Sequence, residues 1–129
     1  MWQSDEGPPS HSVPPHLVAK AAAALGRDAF ERVHGALLRA YFEDNRDISS
    51  PATLLAIWLE QGLPEGEFAR ADGPALLRQV MDEHNQAIEL GVGGVPAMQM
   101  DGDDAAITGA HPAELYRRWI AKRIEEDAR

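Results

Sequence analysis

Ala87-Ile88-Glu89-Leu90-Gly91-Val92-Gly93-Gly94-Val95-Pro96-Ala97-Met98-Gln99-Met100 is the stretch whose reading decides the fold. Its first residues finish a helical stripe opened by Gly73-Pro74, in which Leu77, Val80, Met81, His84, Ala87 and Ile88 share one face, and Gly91 suits the left-handed turn that ends helices. Val92 to Pro96 cannot prolong that helix, and Ala97-Met98-Gln99-Met100 alternates as a strand does. Asp101-Gly102-Asp103-Asp104 is a turn sequence, so Ala105-Ala106-Ile107-Thr108 reads as the returning strand of a hairpin. Gly109-Ala110-His111-Pro112-Ala113-Glu114 then restarts a helix, with Pro112 at its first position and Glu114 where a negative charge favours a helix N-terminus. Leu115, Trp119, Ile120 and Ile124 line it. Two isolated strands are marginal and expose unpaired backbone at both edges, so something else is expected to pair with this hairpin.

Upstream, the pattern is helical. Residues 1–14, with Pro8-Pro9, Ser10-His11-Ser12 and Pro14, read as a proline-rich lead-in without regular structure. From about Pro15, the residues Leu17, Val18, Ala21, Ala22 and Leu25 recur at helical spacing until Gly26. A second helix is expected from Asp28, as N-cap, to Glu43, with Phe30, Val33, Leu37, Leu38, Tyr41 and Phe42 on its apolar stripe and its aromatic end in the core. Ser50-Pro51 predicts the start of a third helix that runs to about Gln61, and a shorter helical stretch is expected around Phe68. No internal repeat is present. The segments are thus 1–14, a helical region over 15–90, and a hairpin with closing helix over 91–129.

A chain of 129 residues is long enough to bury a core, and a single domain is expected. The formal net charge of −9 would repel phosphate backbones and anionic lipid surfaces, so neither nucleic acid nor a membrane is expected as partner. No apolar run approaches the ~20 residues of a membrane span, and Met1 to Glu6 carry neither the basic nor the apolar part of a signal peptide, so the expected location is the cytoplasm. The chain contains no cysteine. Disulfides, thiolate nucleophiles and thiolate metal ligands within it are excluded by composition.

No residue stands out as catalytic. The five histidines lack the spacing that puts two ligands on one helical face, and no metal site or cofactor is expected. His84 reads as a core or interface histidine and His111 as a helix-cap residue. The acidic turn 101–104 lacks the alternating ligands of a calcium loop and reads as solvated. There is no Gly-x-Ser-x-Gly elbow. Gly91-Val92-Gly93-Gly94 follows a helix and precedes a strand, the reverse of a phosphate-binding loop.

The helix ending at Gly91, the Val92-Gly93-Gly94-Val95-Pro96 entry to a strand, the hairpin and Gly109-Ala110-His111-Pro112 resemble the C-terminal half of a DsbA-like thioredoxin domain. Val33, Ala36-Leu37-Leu38-Arg39-Ala40-Tyr41-Phe42 and Asn45-Arg46-Asp47-Ile48 similarly resemble that family's helical insertion. The likeness covers roughly residues 8–122. It implies an α/β chain, a partial thioredoxin-like fold that is predominantly helical, with a β-hairpin and a C-terminal helix. It also implies a cis Val95–Pro96 bond whose backbone faces the active site, and a binding region made by Gly94, Val95, Pro96, Ala110 and His111.

The family's opening strand, Cys-x-x-Cys or Ser-bearing loop and following helix are missing from these residues; Met1-Trp2-Gln3 would match at most the tail of a strand. The resemblance therefore implies a truncated oxidoreductase-family protein without its own redox cysteines. Two alternatives stand beside it: a non-catalytic peptide-binding or assembly module, and a relative of the 2-hydroxychromene-2-carboxylate isomerases and kappa-class transferases, which bind glutathione near the same proline. That branch commonly has Ser-Asp where this chain has Ala110-His111. The expected partners are a second copy, as a homodimer joined through 97–108, and a peptide or small thiol near Pro96.

Overall fold

The computed structural model describes residues 2–129, and Met1 lies outside them. Trp2 and Gln3 form no strand, so the expected strand tail at 1–3 has no support among the described residues. The elements are α1 (Val13–Ala23), α2 (Arg27–Phe42), α3 (Pro51–Glu60), α4 (Glu65–Phe68) with a 3-10 turn over Ala69–Asp72, α5 (Pro74–Glu89), β1 (Ala97–Gln99), β2 (Ala106–Thr108) and α6 (Ala113–Asp127). They divide into two compact units, residues 1–83 and 84–129.

In the first unit, α1 starts at Val13 and takes in Pro14 and Pro15, which the sequence reading placed outside or at the edge of regular structure. The first turn of a helix has no acceptor for its N–H groups, so proline costs nothing there. Gly26, at φ +123°, is the N-cap of α2, and the expected cap Asp28 lies within its first turn, where a carboxylate still favours the helix dipole.

The core of this unit is built from small residues. Ala19 and Ala22 of α1 and Ala29, Ala36 and Ala40 of α2 are buried together with Val18, Val33, Leu37, Leu54, Ile57, Trp58, Leu63 and Ala71. Alanines at a helix contact let two backbones approach closely. Trp58 is fully buried, donates its indole N–H to the Pro64 carbonyl at 2.8 Å, and meets the Phe68 ring edge-on at 5.7 Å.

The aromatic end of α2 is not in the core, contrary to the sequence expectation. Phe42 is 71% exposed, and Leu38 and Tyr41 are also on the surface. The buried stripe, Ala29-Val33-Ala36-Leu37-Ala40, is rotated away from Leu38, Tyr41 and Phe42, because the close α1 contact accepts only small or slim side chains. Trp2 packs on Tyr41 at 5.6 Å instead. The segment before α1 is pinned to the α2–α3 loop by polar contacts: Gln3 N–H donates to Asn45, Asp47 N–H to the Glu6 carboxylate, and Ser10 N–H to Ser49. Lys20 of α1 donates to Glu83 at 2.8 Å, and that hydrogen bond holds the Glu83 carboxyl below its ordinary value.

In the second unit, β1 and β2 form a two-stranded antiparallel sheet with Ala97 opposite Thr108, Met98 opposite Ile107 and Gln99 opposite Ala106. Each strand is one residue shorter than expected. The Val95–Pro96 peptide is cis. None of residues 84–129 is buried. His84 is exposed rather than a core histidine, as are Met81 and Ile88 on the same face, which the described residues do not cover.

Candidate functional site

The binding residues expected from the sequence gather at the open end of the hairpin. Gly109 N–H donates to the Pro96 carbonyl at 2.8 Å, so the entry to β1 lies beside the exit of β2, and Ala110 and His111 follow directly. Gly94, Val95, Pro96, Ala110 and His111 are all exposed, Val95 at 90%. No hydrogen bond to the Val95 backbone occurs among the described residues.

His111 does not cap α6. Its Nε2 lies 2.8 Å from the Thr108 carbonyl, and a carbonyl can only accept, so Nε2 is the donor of this hydrogen bond. Pro112, not His111, is the N-cap residue, in an extended conformation that turns the chain into α6. The imidazole also stands edge-on to Tyr116 at 6.2 Å, and Tyr116 donates its hydroxyl to the Gly109 carbonyl at 3.3 Å. One histidine and one tyrosine thus hold the β2–α6 connection from both sides.

At the other end of the hairpin, the turn is fastened rather than merely solvated. Asp103 is half-buried and accepts from Arg123 of α6 at 2.7 Å, while the same guanidinium reaches the Asp101 carbonyl at 3.2 Å. Asp103 N–H closes the turn on Met100 at 3.0 Å. Gly102 sits at φ +84°, and a Cβ there would stand 2.7 Å from Arg123 Nη2. Gly102→Ala is therefore expected to cost about 1–2 kcal/mol of hairpin stability from the left-handed backbone alone. It should also displace Arg123, seen as a shifted Asp103 amide resonance; an unchanged resonance would show that Arg123 does not fasten the turn.

Between β1 and α6 lies an open cleft of about 540 Å³, lined by Ala97, Met98, Gln99, Met100, Asp101, Tyr116, Trp119 and Ile120. Alternate residues of a strand face opposite sides, so a cleft bordered by all three residues of β1 and the two that follow runs along the strand's edge. The pairing fixes which backbone groups that edge presents. Pro96 with Gly109 is a hydrogen-bonded pair, as is Met98 with Ile107, so Ala97 and Gln99 turn their N–H and C=O groups away from β2. Of the cleft residues, Trp119 and Ile120 were visible in the helical stripe of the sequence. Tyr116 and the fastening Arg123 were not, since nothing in a helical repeat marks which polar residue will meet a distant loop.

Among the described residues, no cluster of three or more His, Cys, Asp or Glu is arranged to hold a metal, and no helix is long and apolar enough to cross a membrane. A helical block, a hairpin entered through proline and a closing helix agree with a thioredoxin-type domain. The DSBA-like thioredoxin domain matches residues 10–121, close to the span expected from the sequence, and the chain belongs to that family. No curated protein matches it. The family is of oxidoreductase type, and this member has no cysteine with which to exchange a disulfide.

Proposed function

We propose that this chain is a non-redox member of the DsbA-like family that binds an extended peptide or a small thiol without oxidising it. Gly94, Val95 and Pro96, with Ala110 and His111, form the recognition end, and β1 continues it as an open strand edge. Any thiol chemistry at that place needs a sulfur from outside these 129 residues. The observation that carries this reading is Val95, 90% exposed and with free backbone groups, directly before an unpaired edge in a chain without cysteine. Backbone recognition of this kind gives affinity through main-chain hydrogen bonds and selectivity through alternate side chains.

The test is a titration with a neutral hexapeptide of alternating valine and threonine. Amide resonances of Val95, Ala97 and Gln99 are expected to shift together; shifts confined to other residues, or none, refute the reading. In catalytic assays, insulin reduction by dithiothreitol and glutathione-dependent chromene isomerisation are expected to run at their uncatalysed rates, and turnover in either would overturn the non-redox assignment.

A second reading is an assembly module that forms a homodimer through the hairpin 97–108. It is favoured by the absence of any buried residue in 84–129, since self-association across a twofold is the commonest cover for such a surface. Sedimentation at micromolar concentration decides it: a dimer is expected under this reading, and a single monomeric species excludes it.

A further inference from the structure

The last hydrogen bond of the hairpin is one-sided. Antiparallel residues that face each other as a hydrogen-bonded pair exchange two bonds, but a proline has no N–H to give. Gly109 therefore donates to the Pro96 carbonyl at 2.8 Å and receives no donor back from β1. Its own carbonyl takes the hydroxyl of Tyr116, on α6, at 3.3 Å instead. The same register turns the carbonyl of Thr108, opposite Ala97, away from β1, and there His111 Nε2 donates to it at 2.8 Å. Two consecutive carbonyls at the end of β2 are thus filled by side chains of the residues that follow them.

This arrangement governs the recognition end. Gly109, at φ +89°, leaves the strand direction, and no pair of the ladder lies beyond it. Without Tyr116 and His111, the connection from Gly109 to Pro112 would hang on the single bond to Pro96. Val95 and Ala110 adjoin the two residues that this bond joins, and their main-chain groups make no hydrogen bond among the described residues. Whatever lies against them, their spacing follows from how firmly Gly109 is held to Pro96. The two rings also meet edge-on at 6.2 Å, a contact that favours both orientations.

We propose that Tyr116 and His111 are positioning residues of the recognition end. Tyr116 supplies the donor that proline cannot, His111 fills the outward carbonyl, and together they hold Gly109 and Ala110 at a fixed distance from Val95 and Pro96. This rests on the binding reading above and adds the side chains that set the geometry a bound main chain or thiol meets. Tyr116 acts only through Gly109.

Three variants test it: Tyr116→Phe, which keeps the ring and loses the hydroxyl; His111→Leu, which loses the donor; and His111→Gln, which keeps a side-chain N–H. In the protein alone, the first two are expected to move the amide resonances of Val95, Gly109 and Ala110 and to leave those of Met98 and Ile107 in place. Exchange of the Gly109 amide should be about three- to tenfold faster, the range one hydrogen bond spans. The neutral valine–threonine hexapeptide should bind each of these two about three- to tenfold more weakly than the unsubstituted chain. His111→Gln should restore both resonances and affinity. Unmoved Val95 and Gly109 resonances overturn the proposal, and so do changes that extend to Met98 and Ile107, since those would mark general braces of the hairpin. A glutamine as disruptive as leucine overturns the role of His111. An unsubstituted chain that ignores the hexapeptide removes the peptide reading, while the resonances of Val95 and Gly109 still decide the positioning.

Discussion

Trp58→Ala is expected to destabilise the first unit by about 3–5 kcal/mol, lowering its thermal midpoint by more than about 10 °C. The indole is fully buried, fills the space between α3 and the turn at Leu63–Phe68, and has its N–H bonded to Pro64. Truncation leaves a cavity that the surrounding alanines are too short to fill, and it strands the Pro64 carbonyl. Trp58→Phe separates the two contributions: most of the ring volume remains, and the lost hydrogen bond should cost about 1–2 kcal/mol. Calorimetry of the two variants checks this. Equal losses would mean that the hydrogen bond, not the packed ring, holds α3 in place. Ile120→Ala is the contrasting control, because Ile120 is half exposed and its removal should cost little.

The second large effect is a contrast in hydrogen exchange between the two units. Backbone amides of Val33, Ala36, Leu37, Leu54 and Ile57 sit in helices whose side chains are buried, and exchange there should be slowed at least about a thousandfold, as expected of groups released only by global unfolding. The amides of the hairpin at Met98, Ile107 and Gly109 are paired, yet no apolar side chain in 84–129 is buried to hold the pairing shut. Their exchange should lie within about a hundredfold of an unstructured peptide. Exchange measured at the level of single amides decides this. A hairpin as protected as α2 would show that β1 and β2 have cover in solution.

Much of the second unit was legible because its signals are local. Gly91, Val95-Pro96, Asp101-Gly102 and Pro112 each restrict the backbone of one or two residues, so the order helix, strand, turn, strand, helix follows from chemistry within a few positions. The hydrogen bond of Gly109 N–H to Pro96 then brings the expected binding residues to one end of the hairpin. Distant partners were not legible. Nothing near His84 in sequence shows that its apolar face lacks cover, and nothing near Arg123 marks Asp103 as its acceptor, because each depends on where another element arrives.

The sequence by itself determined the helical character of the chain, its family and the absence of a thiol from it, since periodicity, glycine and proline positions and residue composition need no partner to take effect. Only the tertiary structure decided which side of each apolar helix is buried. On α2 both candidate stripes are hydrophobic, and the narrow contact with α1 selects alanines and Val33 over Leu38, Tyr41 and Phe42. It also decided that β1 turns Ala97 and Gln99 to an open cleft, because the direction of a strand's hydrogen bonds is set by its register with a neighbour and not by the residues of the strand itself.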